Sequence, residues 1–332
     1  MATADLLEIE GLSTYFDTEE GTVRAVDGVS LRVRPGETVC IVGESGCGKS
    51  ITAMSIMGLV GTNGTAGRIA GGRIRYEDRD LLRLNKHELR TIRGHEIAMI
   101  FQEPMSSLNP VLPIGEQIME PLIEHLKLSK KAARARAIEL IAQVGIARPE
   151  QIAKAYPHEL SGGMLQRIMI AIAISCGPKL LIADEPTTAL DVTIQAQILD
   201  MLRQFKAESD MSILLITHDL GVVAEMADYV VVMYAGKVVE EGEVVELFER
   251  PKHPYTQGLL KSKPIMGQRQ DELYSIPGQV PNPLELKPSC YFYERCEHAM
   301  DVCRRAEPTL KGVGEQGSVA CWLYEEEAIV HG

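Results

Sequence analysis

One stretch constrains this 332-residue chain more than any other: Gly43-Glu44-Ser45-Gly46-Cys47-Gly48-Lys49-Ser50, a full G-x-x-x-x-G-K-[ST] match. The apolar, β-branched run Thr38–Val42 before it reads as a buried strand, and the residues from Lys49 to about Leu59 read as a helix. Strand, glycine turn and helix in that order build a cradle for phosphate. The glycines let the backbone curl until its N–H groups face the anion, and the helix start adds a positive dipole end. Lys49 is placed to reach β- and γ-phosphates and Ser50 to ligate Mg²⁺, with Ile51 next in the helix. A nucleoside triphosphate, ATP above all, is the ligand this loop predicts.

A second segment completes such a site. Leu180-Leu181-Ile182-Ala183-Asp184-Glu185 reads as an apolar strand delivering two carboxylates at its C-terminal end, where ligands bind in open α/β sheets. Asp184 suits Mg²⁺ through its water shell; Glu185 suits the general base on an attacking water. Leu160-Ser161-Gly162-Gly163-Met164-Leu165-Gln166-Arg167 opens a helical run to Ser175. It reads either as a second anion-binding helix start or as an ordinary N-cap with a glycine turn.

The remaining pattern alternates strands with helices and predicts an α/β fold with a largely parallel sheet. Leu6–Ile9 and Ala25–Val33 alternate with period two, with a turn at residues 34–37. Residues 103–175 read as mainly helical. Within them Ser129 is the expected N-cap of Lys130–Val144, and Gly145 its stop. Ala133, Ala137, Leu140, Ile141 and Val144 share one face there; the basic face opposite reads as solvated. Further on come strands at Leu180–Ala183 and Ile213–Thr217, a helix at Thr193–Glu208, and a hairpin around Tyr234-Ala235-Gly236. The last 82 residues hold eight of the 17 prolines and four of the seven cysteines, which predicts a separate, irregular extension over 251–332.

The ordered set GESGCGKS, LSGGMLQR, LLIADEP, TALD and ITHD resembles the nucleotide-binding subunit of ABC transporters over roughly residues 5–250. The resemblance implies a P-loop NTPase with a RecA-like core, an N-terminal antiparallel β subdomain and an α-helical subdomain. It also implies a head-to-tail dimer, in which Ser161, Gly162 and Gly163 of one subunit cap the γ-phosphate held by the other. The partner is a second copy or a paralogous ATPase. By the same resemblance Phe16 stacks on adenine, with Tyr15 the alternative. Gln102 senses Mg²⁺ and the attacking water. Asp191 lies at the dimer seam, and His218 contacts the γ-phosphate. The signature departs from the usual pattern at Met164, which cannot replace the hydrogen bonds of a glutamine amide.

Two further stretches narrow the resemblance to the oligopeptide and dipeptide importer branch. They are Phe101–Pro110 with His253-Pro254-Tyr255-Thr256, and an extension entered through Pro277-Gly278-Gln279-Val280-Pro281. That branch implies two transmembrane permease subunits, an extracytoplasmic peptide-binding protein acting indirectly, and a place on the cytoplasmic face of the inner membrane. Its extension carries four cysteines, here Cys290, Cys296, Cys303 and Cys321. Thiolates suit iron–sulfur clusters or Zn²⁺. The common paired zinc spacing is absent, and family resemblance also points to a 4Fe–4S cluster, with zinc, disulfides or free thiols as alternatives. Cys40 and Cys176 read as core and Cys47 as filling space in the loop, with oxidation sensitivity there the lesser reading.

Composition excludes several classes. A net charge of −12 argues against broad nucleic-acid binding and against lying directly on anionic lipid. No apolar run is long enough to span a bilayer, and the N-terminus lacks a secretory pattern. Membrane association is therefore expected through partner proteins. A non-transport ABC ATPase is disfavoured by the single cassette and the absence of heptads. A catalytically dead regulator is disfavoured by intact Lys49, Asp184, Glu185 and His218. Another cargo of the same branch, such as nickel, stays open, because cargo is chosen by subunits outside this chain.

Overall fold

The computed structural model describes residues 4–61, 66–188, 190–262, 274–314 and 317–325. They divide into two compact units. One gathers Val33–Glu37 and Leu81–Ile216 with the first residues; the other gathers Leu7–Arg32, Thr38–Asp80 and the chain from Thr217 onward.

In the first unit the strands Ile97–Ile100, Leu180–Asp184 and Ser212–Thr217 run parallel, with Leu180–Asp184 in the middle. Every residue of the three is buried. Parallel strands covered on both faces need apolar side chains throughout, which is why they read as continuous runs rather than alternating ones. Gln102 and Glu185 follow the carboxyl ends of two adjacent strands, so both emerge at one edge.

Between residues 103 and 175 the regular structure is all helical. Helices Ile114–Leu126, Lys130–Gln143 and Gly162–Ile174 pack on one another. Ser129 caps the second, its hydroxyl accepting from the Ala132 N–H at 3.3 Å. Ala133, Ala137, Leu140 and Ile141 form the buried stripe, where each fully buried Leu or Ile contributes about 1.5–3 kcal/mol. Gly145 ends the helix at a φ of 74°, the left-handed turn glycine adopts without Cβ strain. Arg167 braces the unit, donating to the Val144 carbonyl at 2.6 Å and to Gln197 Oε1 at 2.7 Å.

The second unit holds an antiparallel sheet with strand order Gly21–Val33, Leu7–Thr18, Gly67–Tyr76 and Arg79–Asp80. Leu7 lies opposite Tyr76 and Phe16 opposite Gly67. The strand Gly67–Tyr76 has no counterpart in the sequence reading, because its three glycines blur the alternation. At Gly72, with φ of 94°, an added Cβ would meet the Gly11 carbonyl oxygen at 2.6 Å. Close backbone approach there excludes any other residue.

The same unit also contains Thr38–Val42 parallel to Tyr229–Tyr234, which turns back antiparallel into Lys237–Glu243. The two-residue turn Ala235-Gly236 has φ of 46° and 86°, the primed geometry that suits strand twist. The largely parallel expectation is therefore corrected: this part of the fold is mixed. The extension expected over 251–332 carries short strands among its described residues. Gly317–Val319 pairs antiparallel with Lys237–Glu243, and Lys311–Gly312 pairs with Gly317–Val319. An open Lys237–Glu243 edge would present unpaired N–H and C=O groups, and the late strand covers them. The chain after residue 250 is thus tied into the unit that holds the phosphate loop.

Candidate functional site

The phosphate loop follows the buried strand Thr38–Val42 and ends in the helix Lys49–Ile56, three residues shorter than expected. Gly48 is the N-cap, with φ of 100°. A Cβ there would lie 2.3 Å from the Ala25 carbonyl oxygen, and one at Gly43 would lie 2.1 Å from that of Met233. These contacts make both glycines obligatory. Lys49 is 5% exposed, and its ammonium donates to the carbonyls of Gly43 at 2.8 Å and Glu44 at 3.1 Å. Two loop carbonyls thus hold the cation at the mouth of the loop, whose crest residues Ser45 and Gly46 are exposed. Burial pushes the Cys47 thiol up, against the opposing pull of Lys49. That favours the space-filling reading of Cys47 over a reactive one. Ser50 and Ile51 are half-buried at the first helical turn.

Phe16 and Tyr15 separate by strand geometry. Thr14 Oγ1 lies 2.9 Å from Ser55 Oγ, on the helix that starts at Lys49. Side chains two apart on a strand share a face. Phe16 therefore faces the side of the phosphate loop's helix, packed on Gly67. Tyr15 faces away; its hydroxyl donates to Asp27 at 2.7 Å, and the guanidiniums of Arg24 and Arg68 lie over its ring. In this unit too, His218 is exposed directly after Ser212–Thr217.

The first unit carries the other candidates. Asp184 is 3% exposed at the end of its strand. Glu185 follows with φ of 46°, a left-handed backbone that is costly for a non-glycine residue, and its N–H donates to the Ile216 carbonyl at 2.9 Å. Gln102 Nε2 donates to Glu185 Oε2 at 3.1 Å, and Thr188 Oγ1 donates to the same oxygen at 2.8 Å. A strained backbone and two donors therefore fix one carboxylate oxygen; Thr188 carries no sequence signal for this role beyond its place in the TALD run.

Ser161 is an exposed N-cap of Gly162–Ile174, its hydroxyl accepting from the Met164 N–H at 3.4 Å. Gly162 meets nothing within 4 Å of an added Cβ, whereas Gly163 would touch Ile194 at 3.4 Å. Asp191 caps the helix Val192–Ser209, accepting from the Ile194 N–H at 2.9 Å. Of the TALD run, Ala189 lies outside the described residues.

Cys290, Cys296, Cys303 and Cys321 line one cavity with His253, His298 and Phe292. All are free thiols, so the disulfide alternative has no support among the described residues. Burial, and then the neighbouring cysteines, push Cys290 up to about 12 and Cys321 up to about 11. A set of four soft sulfur donors fits a thiophilic metal centre. Yet among the described residues no three His, Cys, Asp or Glu side chains form a group that could hold a metal ion. The two observations differ in scale: sharing a cavity wall asks for proximity, ligation asks that the sulfurs converge on one point. Cys40 is core, as expected, while Cys176 is only half-buried.

One group near the loop escaped the sequence reading. Arg295 is buried and donates to both carboxylate oxygens of Glu44, at 2.7 and 3.1 Å. The Glu44 N–H donates to the Tyr255 hydroxyl at 2.8 Å. Nothing in the spacing of residues 251 apart signals such a contact.

These elements define an ATP-binding cassette. A family model for ABC transporters matches residues 26–188, and one for the oligopeptide/dipeptide transporter C-terminal region matches residues 239–303. The chain belongs to the family of ABC transporter ATP-binding proteins of the oligopeptide/dipeptide type. It is 56% identical to the oligopeptide transport ATP-binding protein AppD of Bacillus subtilis, over 97% of this chain and 98% of that one. It is 48% identical to the dipeptide transport ATP-binding protein DppD of Escherichia coli, over 95% and 96%. Among solved structures, the dimeric bacterial ABC transporter cassette MJ0796 superposes with a TM-score of 0.65 at 28% identity, over 72% of this chain and 98% of that one. The same cassette is also known as a dimer in a post-hydrolysis state with ADP and Pi, at the same TM-score and identity.

Proposed function

We propose that this chain is the ATP-hydrolysing subunit that energises peptide import through a membrane ABC transporter. The observation that carries the reading is the phosphate loop, with Lys49 buried and held by two carbonyls at its mouth. Near-full-length likeness to peptide-transport ATP-binding proteins supplies the cargo class, di- or oligopeptides. Gly43 to Ile51 hold the phosphates of ATP, and Ser50, Gln102 and Asp184 serve Mg²⁺. Phe16 stacks on the base, a role its orientation toward the loop's helix supports over Tyr15. Glu185 acts as general base on water, with Gln102 sensing Mg²⁺ and the attacking water and His218 contacting the γ-phosphate. Ser161, Gly162 and Gly163, with Asp191 at the seam, serve the nucleotide of a partner cassette.

ATP binding closes the dimer and hydrolysis reopens it. Among the described residues no helix is long and apolar enough to cross a membrane. Two permease subunits then hold the chain at the cytoplasmic face. The test is magnesium-dependent phosphate release and peptide uptake by the transporter assembled with its permeases. Uptake that continues without this subunit's ATP turnover would refute the reading. A strictly monomeric sample should bind ATP yet turn it over poorly.

The same reading extends to the cysteine cavity. Cys290, Cys296, Cys303 and Cys321 would be the ligands of a 4Fe–4S cluster once their sulfurs converge on one point, with Zn²⁺ the competing occupant; their shared cavity wall, and not a formed metal site, supports a thiophilic centre. Iron and sulfide analysis of anaerobically purified chain tests this. A colourless sample containing zinc would overturn it.

A further inference from the structure

Glu44 is an awkward residue for a phosphate-binding loop. Its carboxylate is a fixed negative charge in a cradle that must receive more of them. The structure places a counter-charge directly on it. Arg295 grips the carboxylate with two parallel N–H···O bonds at 2.7 and 3.1 Å, the geometry in which arginine binds carboxylates most strongly. Its side chain is only 4% exposed. The bond to Glu44 holds the guanidinium well above its ordinary pKa, so it stays charged.

Everything around Arg295 fixes its aim. Nε donates to the Pro277 carbonyl at 2.9 Å, and Nη1 to the Tyr234 hydroxyl at 3.3 Å. The guanidinium lies over the rings of Tyr234 and Phe292 at 5.7 and 5.8 Å. Phe292 also stacks edge-on against Tyr234 and packs on Tyr255. Tyr255 in turn holds the Glu44 N–H, while its own N–H is held by His253 Nδ1 at 3.0 Å. The two stretches left without a role, His253–Thr256 and Pro277–Pro281, therefore converge on one ion pair. So does the cysteine segment, since Arg295 stands next to Cys296 and Phe292 lines the cysteine cavity.

We propose that Arg295 is a positioning residue for nucleotide binding: it neutralises Glu44 and holds its carboxylate away from the phosphates, so that ATP affinity depends on the cysteine-bearing segment. The inference rests on the ATPase reading of the loop. A salt bridge kept only for stability would be replaceable by apolar groups at little loss. A charge-masking role makes a different demand, because the cost of removing Arg295 arises from the carboxylate left behind.

The test is MgATP and MgADP binding to the full chain by calorimetry at low ionic strength, for wild type, Arg295→Met, Arg295→Lys and the double variant Glu44→Gln/Arg295→Met, each checked by thermal melting. Arg295→Met should raise the MgATP Kd about tenfold, as one unmasked charge near the phosphates predicts. The rise for MgADP should be smaller, and added salt should shrink both. Arg295→Lys should stay within about threefold of wild type, since the charge remains. The double variant should recover to within about twofold, since no charge is left unmasked. Affinity unchanged in Arg295→Met would overturn the proposal. So would a double variant as weak as Arg295→Met, which would mean that packing and not charge sets the affinity. Should Arg295→Met fail to fold, the double variant and Arg295→Lys decide on the same criteria. A wild-type chain that binds no MgATP sinks the ATPase reading, and the inference with it.

Discussion

Gln102 and Glu185, 83 positions apart, meet through a 3.1 Å hydrogen bond from amide to carboxylate. The bond joins residues that follow two adjacent parallel strands, Gln102 two positions after one and Glu185 directly after the other. Glu185→Gln keeps the shape and removes the proposed base. MgATP turnover should fall by about 10²–10⁴-fold while MgATP binding persists, as phosphate release and equilibrium binding on one sample will show. Thr188→Ala removes the second donor to the same oxygen, and should lower turnover by about tenfold or less, as expected of one lost orienting hydrogen bond.

At Gly48 the demand is steric. An alanine must adopt φ of 100° and place its Cβ 2.3 Å from a backbone oxygen that no side-chain rotation can move. Gly48→Ala should cost about 1–3 kcal/mol of stability from backbone strain alone and abolish nucleotide binding. Chemical denaturation alongside ATP binding checks both parts.

Ser161 separates stability from activity. Its hydroxyl makes a long 3.4 Å cap on an exposed helix start, so Ser161→Ala should destabilise the isolated chain by only about 0.5 kcal/mol. Turnover in the assembled dimer should drop far more, because the lost hydroxyl faces the partner's nucleotide in the proposed arrangement. Equal, slight losses in both measurements would return Ser161 to the ordinary cap reading.

His253 gives the fold a pH dependence. Burial holds its pKa down to about 3, and the neutral ring accepts the Tyr255 N–H. Unfolding releases it to the ordinary value of about 6.5, so between these values the unfolded chain binds more protons than the folded one. Stability is full above about pH 6.5 and falls as pH drops toward 3, by up to about 1.4 kcal/mol per unit. His253→Asn keeps a capping acceptor without titrating, and denaturant midpoints measured from pH 8 to 5 should flatten in that variant.

Much of this was readable from sequence, and the reason is local. Thr38–Val42, Leu180–Asp184 and Ser212–Thr217 are buried on both faces, so each is a continuous apolar run. The loop Gly43–Ser50 needs its glycines for steric reasons that leave little choice. Ser129 is a cap that acts within three residues. What stayed hidden is non-local or glycine-blurred. Gly67–Tyr76 lacks a clean alternation. The pairing of Gly317–Val319 with Lys237–Glu243 depends on an edge that only the folded sheet creates. Arg295 carries no signal of its own in the sequence, because its partner stands 251 residues away.

That separation bears on how the chain is made. The phosphate loop leaves the ribosome well before Tyr255 and Arg295, which settle Glu44. Contacts this distant in sequence form late, since the intervening chain must be ordered before they are rewarded. A nascent chain halted before residue 295 carries the glycines and the lysine but leaves Glu44 unmasked. Translation, and not only folding, therefore decides when the loop is finished.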